Sequence, residues 1–373
     1  MPQPLHKPDI SVVLCSHNGA RVLPAALASL RRQSLADDRF EVIVVDDGSQ
    51  DATARIAGEW GARVISLSPN CGLAAARNAG VTASAAEIVA FTDDDCDVDP
   101  GWLATLVQSF ADPAVSGVSG AVVPVGPDGF VLRYLSWRNP LAPLGEELLA
   151  SNGLIRRLGV YLRGLVHGEH PLSAGDRLFS VVGANMAFRR ELIYELGGFD
   201  EAFRFGGEEE DLCRRAHALE GGACLVYQPS ATVMHQFEPG IRDTLRRSRA
   251  YGRGNARAAI KHPEARPIVY PFPLAAIAAA AVGVLIRRPG LVLLGLVVPA
   301  LTYPRWLVAS RRYRSLEPLG YPYVQLAQEL STMLGEFDGY RAGYAAVATK
   351  QLGDEGLSAD TRPGARPGAA GSG

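Results

Sequence analysis

Residues 10–19, ISVVLCSHNG, form a short apolar, β-branched run that gives way at once to polar residues. The pattern recurs at residues 41–45 (EVIVV), 63–67 (RVISL) and 87–92 (EIVAFT). Between these runs, residues 22–32, 52–60 and 73–83 carry apolar side chains at helical spacing. Strand and helix in alternation predict an α/β fold, a mostly parallel sheet with helices on both faces. In such sheets ligands gather at the carboxyl ends of the strands. Here those ends hold Ser16, His17 and Asn18 after the first run, Asp46 and Asp47 after the second, and Asp93, Asp94 and Asp95 after the fourth.

Further along, residues 115–123 predict another strand, and residues 126–176 a long, partly helical excursion. Order resumes at residues 179–182, followed by Gly183, Ala184 and Asn185, a helix over 189–196 and a second over 208–219. Two closing strands are expected at 224–228 and 231–235. After Gly240 comes an arginine-rich helix, 241–259, and then two apolar stretches at about 268–286 and 291–309. Each approaches the roughly 20 residues that span a bilayer. Basic residues flank the pair on both sides, so a membrane hairpin with both ends in the cytoplasm is expected, either spanning or re-entrant. Residues 321–344 predict an amphipathic helix lying on the membrane, and residues 351–373 a disordered tail.

Bulk properties narrow the function. With 37 basic and 39 acidic residues the net charge is −2, which gives no footprint for nucleic acid. Five scattered cysteines, without a CxxC pair, fit a reduced setting rather than a disulfide framework or zinc ribbon. Residues 1–13 lack the apolar stretch of a signal peptide, so the first domain is expected on the cytoplasmic side of a cell membrane.

Three constellations carry candidate chemistry. Asp46-Asp47-Gly48-Ser49 can bind the donors of a base and ribose, although Asp-Gly-Ser is also an ordinary turn. Asp93, Asp94 and Asp95 on one strand end raise each other's pKa unless a cation neutralises them, and such oxygen ligands suit Mg²⁺ or Mn²⁺ shared with phosphates. Glu208, Glu209 and Asp211 open a helix; Glu208 and Asp211 share a face, and any of the three can serve as a general base. Arg77 and Asn78 lie on a helix within reach of a nucleotide, and His235, after a closing strand, is a metal or phosphate ligand or a structural histidine.

These motifs, in this order from about residue 9 to 235, resemble the family 2 glycosyltransferases, which implies a GT-A fold. The segment ISVVLCSHN is similar to the family's first strand, with Ser16, His17 and Asn18 on the nucleotide side and His17 at the base-stacking position. VVDDGS resembles the nucleotide-binding motif, implying that Asp46 or Asp47 contacts the base, and Arg77 stands where an arginine often reaches it. Asp93-Asp94-Asp95 matches the DxD motif: by resemblance Asp93 and Asp94 face the nucleotide, Asp93 also joins the metal shell, and Asp95 holds the metal. Gly183, Ala184 and Asn185 resemble the acceptor-side segment. GEEEDL resembles Gly-Glu-Asp-x-Asp-Leu, which places the catalytic base at Glu209, one methylene longer than the usual aspartate.

The resemblance implies inverting transfer from a UDP-, GDP- or dTDP-sugar to a hydroxyl of a membrane-linked glycan or cell-envelope precursor. A polyprenyl-phosphate glycosyltransferase is the neighbouring possibility, and a catalytically inactive, membrane-anchored binding module the more distant one. The expected organisation is a catalytic domain over 1–240, a membrane-associated helical region over 241–350 and the tail.

Overall fold

The computed structural model describes residues 7–145, 154–167, 172–203, 206–238, 240–262 and 270–359. In chain order the first half comprises β1 (Ile10–Ser16), α1 (Leu23–Leu30), β2 (Phe40–Asp47), α2 (Thr53–Trp60), β3 (Arg63–Leu67), α3 (Leu73–Ala83), β4 (Ile88–Asp93), β5 (Cys96–Val98), α4 (Trp102–Ser109) and β6 (Val115–Val125). The excursion holds α5 (Phe130–Trp137), β7 (Leu144–Gly145) and α6 (Leu154–His167). Next come β8 (Leu178–Ser180), β9 (Asn185–Arg189), α7 (Arg190–Glu195), α8 (Glu208–His217) and β10 (Cys224–Gln236). The C-terminal part is helical: α9 (Ile241–Lys261), α10 (Pro271–Leu285), α11 (Pro289–Thr302), α12 (Arg305–Tyr313) and α13 (Tyr321–Ala359).

Eight strands form one sheet in the order β3-β2-β1-β4-β9-β6-β10-β5. The pairs β1–β2, β1–β4, β2–β3 and β6–β10 are parallel, whereas β9 and β5 run against their neighbours. The near-continuous apolar runs follow from burial on both faces. Alternate residues of β1 and β2 enter separate cores: Val12, Leu14, Val42 and Val44 pack with Leu27 of α1 and Trp102 of α4, while Val13, Ile43 and Val45 pack with Ala76 of α3 and Leu212 of α8. The two closing strands are one, β10, because Pro229 and Ser230 are absorbed in a bulge between Gln228 and Thr232.

Because β9 runs backwards between β4 and β6, its first residue, Asn185, pairs with Thr92 at the end of β4. Antiparallel pairing likewise sets Cys96, at the start of β5, opposite His235 near the end of β10. One edge of the sheet thus collects Ser16, Asp46, Asp93, Asn185 and His235.

The spanning hairpin is not supported. Among the described residues no single helix is long and apolar enough to cross a membrane; α10 has 15 residues and α11 has 14. Pro271, Pro273, Pro289 and Pro304 divide the two apolar stretches into shorter helices, and residues 268–269 lie outside the described residues. Among the described residues only α11 with α12, bent by 68°, has the length and composition together. The predicted amphipathic helix is α13, which continues to Ala359, into the expected tail; residues 360–373 lie outside the described residues. Part of its inner face packs on α9 through glycines, a Cβ at Gly252 or Gly335 falling 2.0 Å from a carbonyl oxygen of the opposite helix.

Candidate active site

Ser16 donates its hydroxyl to the carboxylate of Asp94 in a short hydrogen bond. Asp47 spends its carboxylate on α3: its two oxygens accept from the backbone amides of Cys71 at 2.7 Å and Gly72 at 2.9 Å, holding the start of that helix. Asp46 accepts from the amide of Ser49 at 3.1 Å. His17 lies over the same turn, its Nδ1 2.8 Å from the carbonyl of Asp47, and Asn18 accepts from the amide of Gln50 at 2.9 Å. The first and second strand ends therefore form one polar wall.

Asp93, Asp95, Cys96 and His235 each bring a potential ligand atom within 4.8 Å of the others. Nε2 of His235 lies 3.4 Å from Asp95. Burial raises the pKa of Asp94 to about 7, with Asp95 and Asp93 adding to the rise and Ser16 opposing it. Asp95 is raised by burial and by Asp93, while His235 and Arg247 pull it down. Excess negative charge of this kind is what a bound cation relieves. Two carboxylates and an imidazole form a donor set that fits a divalent cation, whereas burial keeps the Cys96 thiol protonated and so a poor ligand.

Arg77 joins this wall to the acidic helix. The buried guanidinium donates to Glu208 at 2.5 Å and to the carbonyl of Gly183 at 3.2 Å, and lies 3.8 Å from Asp93. Burial opposes its charge, but Glu208 and Asp93 outweigh that and leave its pKa raised. The rings of Phe91 and Phe199 flank it at 6.0 and 5.7 Å. A Cβ on Gly183 would fall 2.7 Å from an Arg77 nitrogen, which explains a glycine there. Asn185 is engaged inside the fold: its amide accepts from Trp102 at 2.9 Å and donates to the carbonyls of Ala121 and Ala231 at 2.8 Å each. Ala184 beside it is buried in the core.

The three acids of α8 differ in their partners. Glu208 is committed to Arg77. Asp211 is fully buried and bound by Arg215 at 2.8 Å, Lys261 at 2.8 Å and His262 at 2.7 Å. Burial raises its pKa, but hydrogen bonds from Lys261 and His262 and the charge of Arg215 more than reverse the effect and leave it lowered. Among the described residues Glu209 has no cation within ion-pair distance, and its Oε2 is buried without a hydrogen bond. Burial and the neighbouring Glu208 push its pKa to about 8, against a smaller pull from Arg77.

The helix α9 adds residues that sequence reasoning passed over. Arg247 reaches to 3.8 Å from Asp95, and Tyr251 is near enough to Glu209, Asp93 and Glu208 for their charge to raise its pKa, already pushed up by burial, to about 12. The run RRSRAYGRG, basic residues with an aromatic on a helix directly after His235, was the available signal.

A family model for Glycosyl transferase family 2 matches residues 11–197, half of the chain, over the strands that carry this wall. The chain is a family 2 glycosyltransferase. A model for Glycosyl transferase family group 2 also matches residues 149–310. Pre-mycofactocin glycosyltransferase of Mycobacterium tuberculosis is 33% identical over 264 residues, covering 70% of this chain and 49% of the relative, so the chain spans about half of that protein's length. Succinoglycan biosynthesis protein ExoO of Rhizobium meliloti is 31% identical over 248 residues, covering 64% of each chain. The solved mannosyltransferase PcManGT from Pyrobaculum calidifontis, in complex with GDP-Man and Mn²⁺, matches with a TM-score of 0.53 and 18% identity over 90% of this chain and 89% of that one. That likeness establishes the GT-A fold of this glycosyltransferase.

Opposite pH dependences distinguish the two buried acids. The folded state holds the proton of Glu209 more tightly than the unfolded chain, whose value is near 4.5, so ionisation as pH rises towards about 8 is destabilising. Glu209→Gln is therefore expected to raise Tm relative to wild type at about pH 8 more than at about pH 5. Asp211, with a lowered pKa, stabilises the fold above the ordinary carboxylate range and loses that contribution on acidification. Asp211→Asn should cost about 3 kcal/mol near neutrality, and less at low pH. Scanning calorimetry of both variants at the two pH values checks this, and pH-independent differences would refute it.

Proposed function

We propose that this glycosyltransferase moves a sugar from a nucleotide-sugar donor to an acceptor hydroxyl with inversion of configuration, using Glu209 as general base. The observation that carries the assignment is the difference in partners along the start of α8: among the described residues Glu208 and Asp211 are bound by cations, and Glu209 is not. A carboxylate with a raised pKa is suited to accepting a proton near neutrality. The acceptor oxygen attacks the anomeric carbon, its proton passes to Glu209, and the bond to the diphosphate oxygen breaks with its electron pair remaining on the diphosphate.

In this reading Ser16, His17, Asn18 and Asp46 line the nucleoside subsite. Asp46 is the acid that meets the base, because both oxygens of Asp47 hold α3. Arg77 acts by aligning Glu208 with Asp93 rather than by reaching the base. Asp93, Asp95 and His235 would hold a divalent cation, which supplies positive charge to the departing diphosphate. The nitrogen donor favours Mn²⁺ over Mg²⁺, and Mn²⁺ with GDP-Man in the solved mannosyltransferase supports both the cation and a nucleotide-sugar donor.

The acceptor is proposed to be membrane-linked, and the chain to work at the cytoplasmic face of a membrane. Support comes from α10 to α12, where Leu285 is 82% exposed and Leu301 70%, with Leu293, Leu296 and Val308 also exposed. Exposed apolar surface of this extent marks an interaction face, and exposed Arg287, Arg288, Arg311 and Arg312 flank it.

Glu209→Gln should retain donor binding and lose transfer by about 100- to 10,000-fold, measured as nucleotide release with a lipid-linked or glycan acceptor; an active variant would move the base to Glu208 or Asp211. For the membrane seat, the full chain should float with vesicles containing anionic lipid and release when Leu285, Leu293 and Leu301 are changed to Glu. Recovery of wild type in the soluble fraction would refute that placement.

A further inference from the structure

Arg247 differs from the arginines around it. On the same helix Arg246 has a side chain 79% exposed, whereas that of Arg247 is 23% exposed. Three contacts fix it. Asp243, one turn back, accepts from its Nε at 2.9 Å; the ring of Phe237 lies under the guanidinium at 5.4 Å; and Nη2 stands 3.8 Å from Oδ2 of Asp95.

The helix that carries it is fixed as well. A Cβ on Gly254 would lie 2.4 Å from the carbonyl oxygen of Gly206, so α9 sits directly on the turn that opens α8, and Gly252 seats the opposite side on α13. Arg247 is therefore a fixed positive charge at the rim of the cluster formed by Asp93, Asp95 and His235.

That placement sets a physical conflict. A guanidinium and a divalent cation sharing one carboxylate repel each other. A polyanion lying between them removes the conflict, since each cation then gains a partner of its own. On the reading of the site given above, the polyanion is the diphosphate of the donor. We infer that Arg247 is the diphosphate-binding residue of this enzyme, delivered by α9, and that it competes with the metal for Asp95 until a nucleotide arrives. It thereby neutralises charge on the leaving diphosphate while Glu209 takes the acceptor proton.

The inference has a crossed signature that a merely structural arginine would not give. In Arg247→Gln, Mn²⁺ binding without nucleotide should tighten, by up to about tenfold, because the competing charge is gone. With Mn²⁺ saturating, binding of UDP, GDP or dTDP, whichever the wild type takes, should weaken about 10- to 100-fold. Binding of the corresponding nucleoside should stay unchanged, and Arg247→Lys should recover part of the diphosphate affinity. The measurement is calorimetric titration of the full chain with Mn²⁺ alone, with each nucleoside diphosphate and with the nucleoside. Wild-type diphosphate affinity in Arg247→Gln would overturn the inference, as would a parallel loss of nucleoside affinity and thermal stability. A wild-type chain that takes up Mn²⁺ but none of the three diphosphates would overturn the transfer reading itself, and this inference with it.

Discussion

A buried ion pair, Arg77 with Glu208 at 2.5 Å, is the interaction on which the site depends. Taking both charges out of water is unfavourable, and the neighbours offset this on the arginine side, whereas Oε2 of Glu208 stays buried without a hydrogen bond. Gly183 supplies a carbonyl, Asp93 a second negative charge, and Phe91 and Phe199 two rings. The pair links α3, the end of β4 and the start of α8, which stand 131 residues apart in the chain at its two ends. Gly206 and Gly207, both with positive φ, make the turn that lets Glu208 point inward, and Glu209, next in sequence, has no cation of its own among the described residues.

The helical C-terminal part reaches the same site. Lys261 and His262, at the end of α9, hold Asp211, and Arg247 near its start reaches Asp95, so one helix touches both carboxylate clusters. Its close seat on α13 makes it a stiff strut. Phe237, between β10 and α9, packs with Tyr134 of α5 and Tyr321 of α13 and so ties the sheet edge to the apolar helices beyond.

Much of the sheet was legible because strands buried on both faces must be apolar almost throughout, and the polar residues that end them mark the ligand edge. The reversal of β9 was not, since nothing local in NMAFR records which neighbour it pairs with. Pro229 and Ser230 made one bulged strand look like two. Overall apolarity of residues 268–309 suggested crossings, but prolines decide helix length there, and the helices are too short. In the site, helix periodicity puts Glu208 and Asp211 on one face, and both are buried, yet periodicity does not rank the three acids. The proposed ranking rests on Arg77, Lys261 and His262, partners distant in sequence. Asp47 and Asn185 show the converse: motif positions whose polar atoms are used up in holding α3 and in cross-linking β6, β10 and α4.

The central claim is inverting chemistry at this carboxylate-lined edge. The most direct test is proton NMR of the first sugar product formed from α-linked UDP-, GDP- and dTDP-sugars with Mn²⁺, with water or a glycan as acceptor. The account predicts that one donor is turned over and that its product appears first as the β-anomer. A product that retains the donor's configuration, or no turnover of any donor, would contradict it.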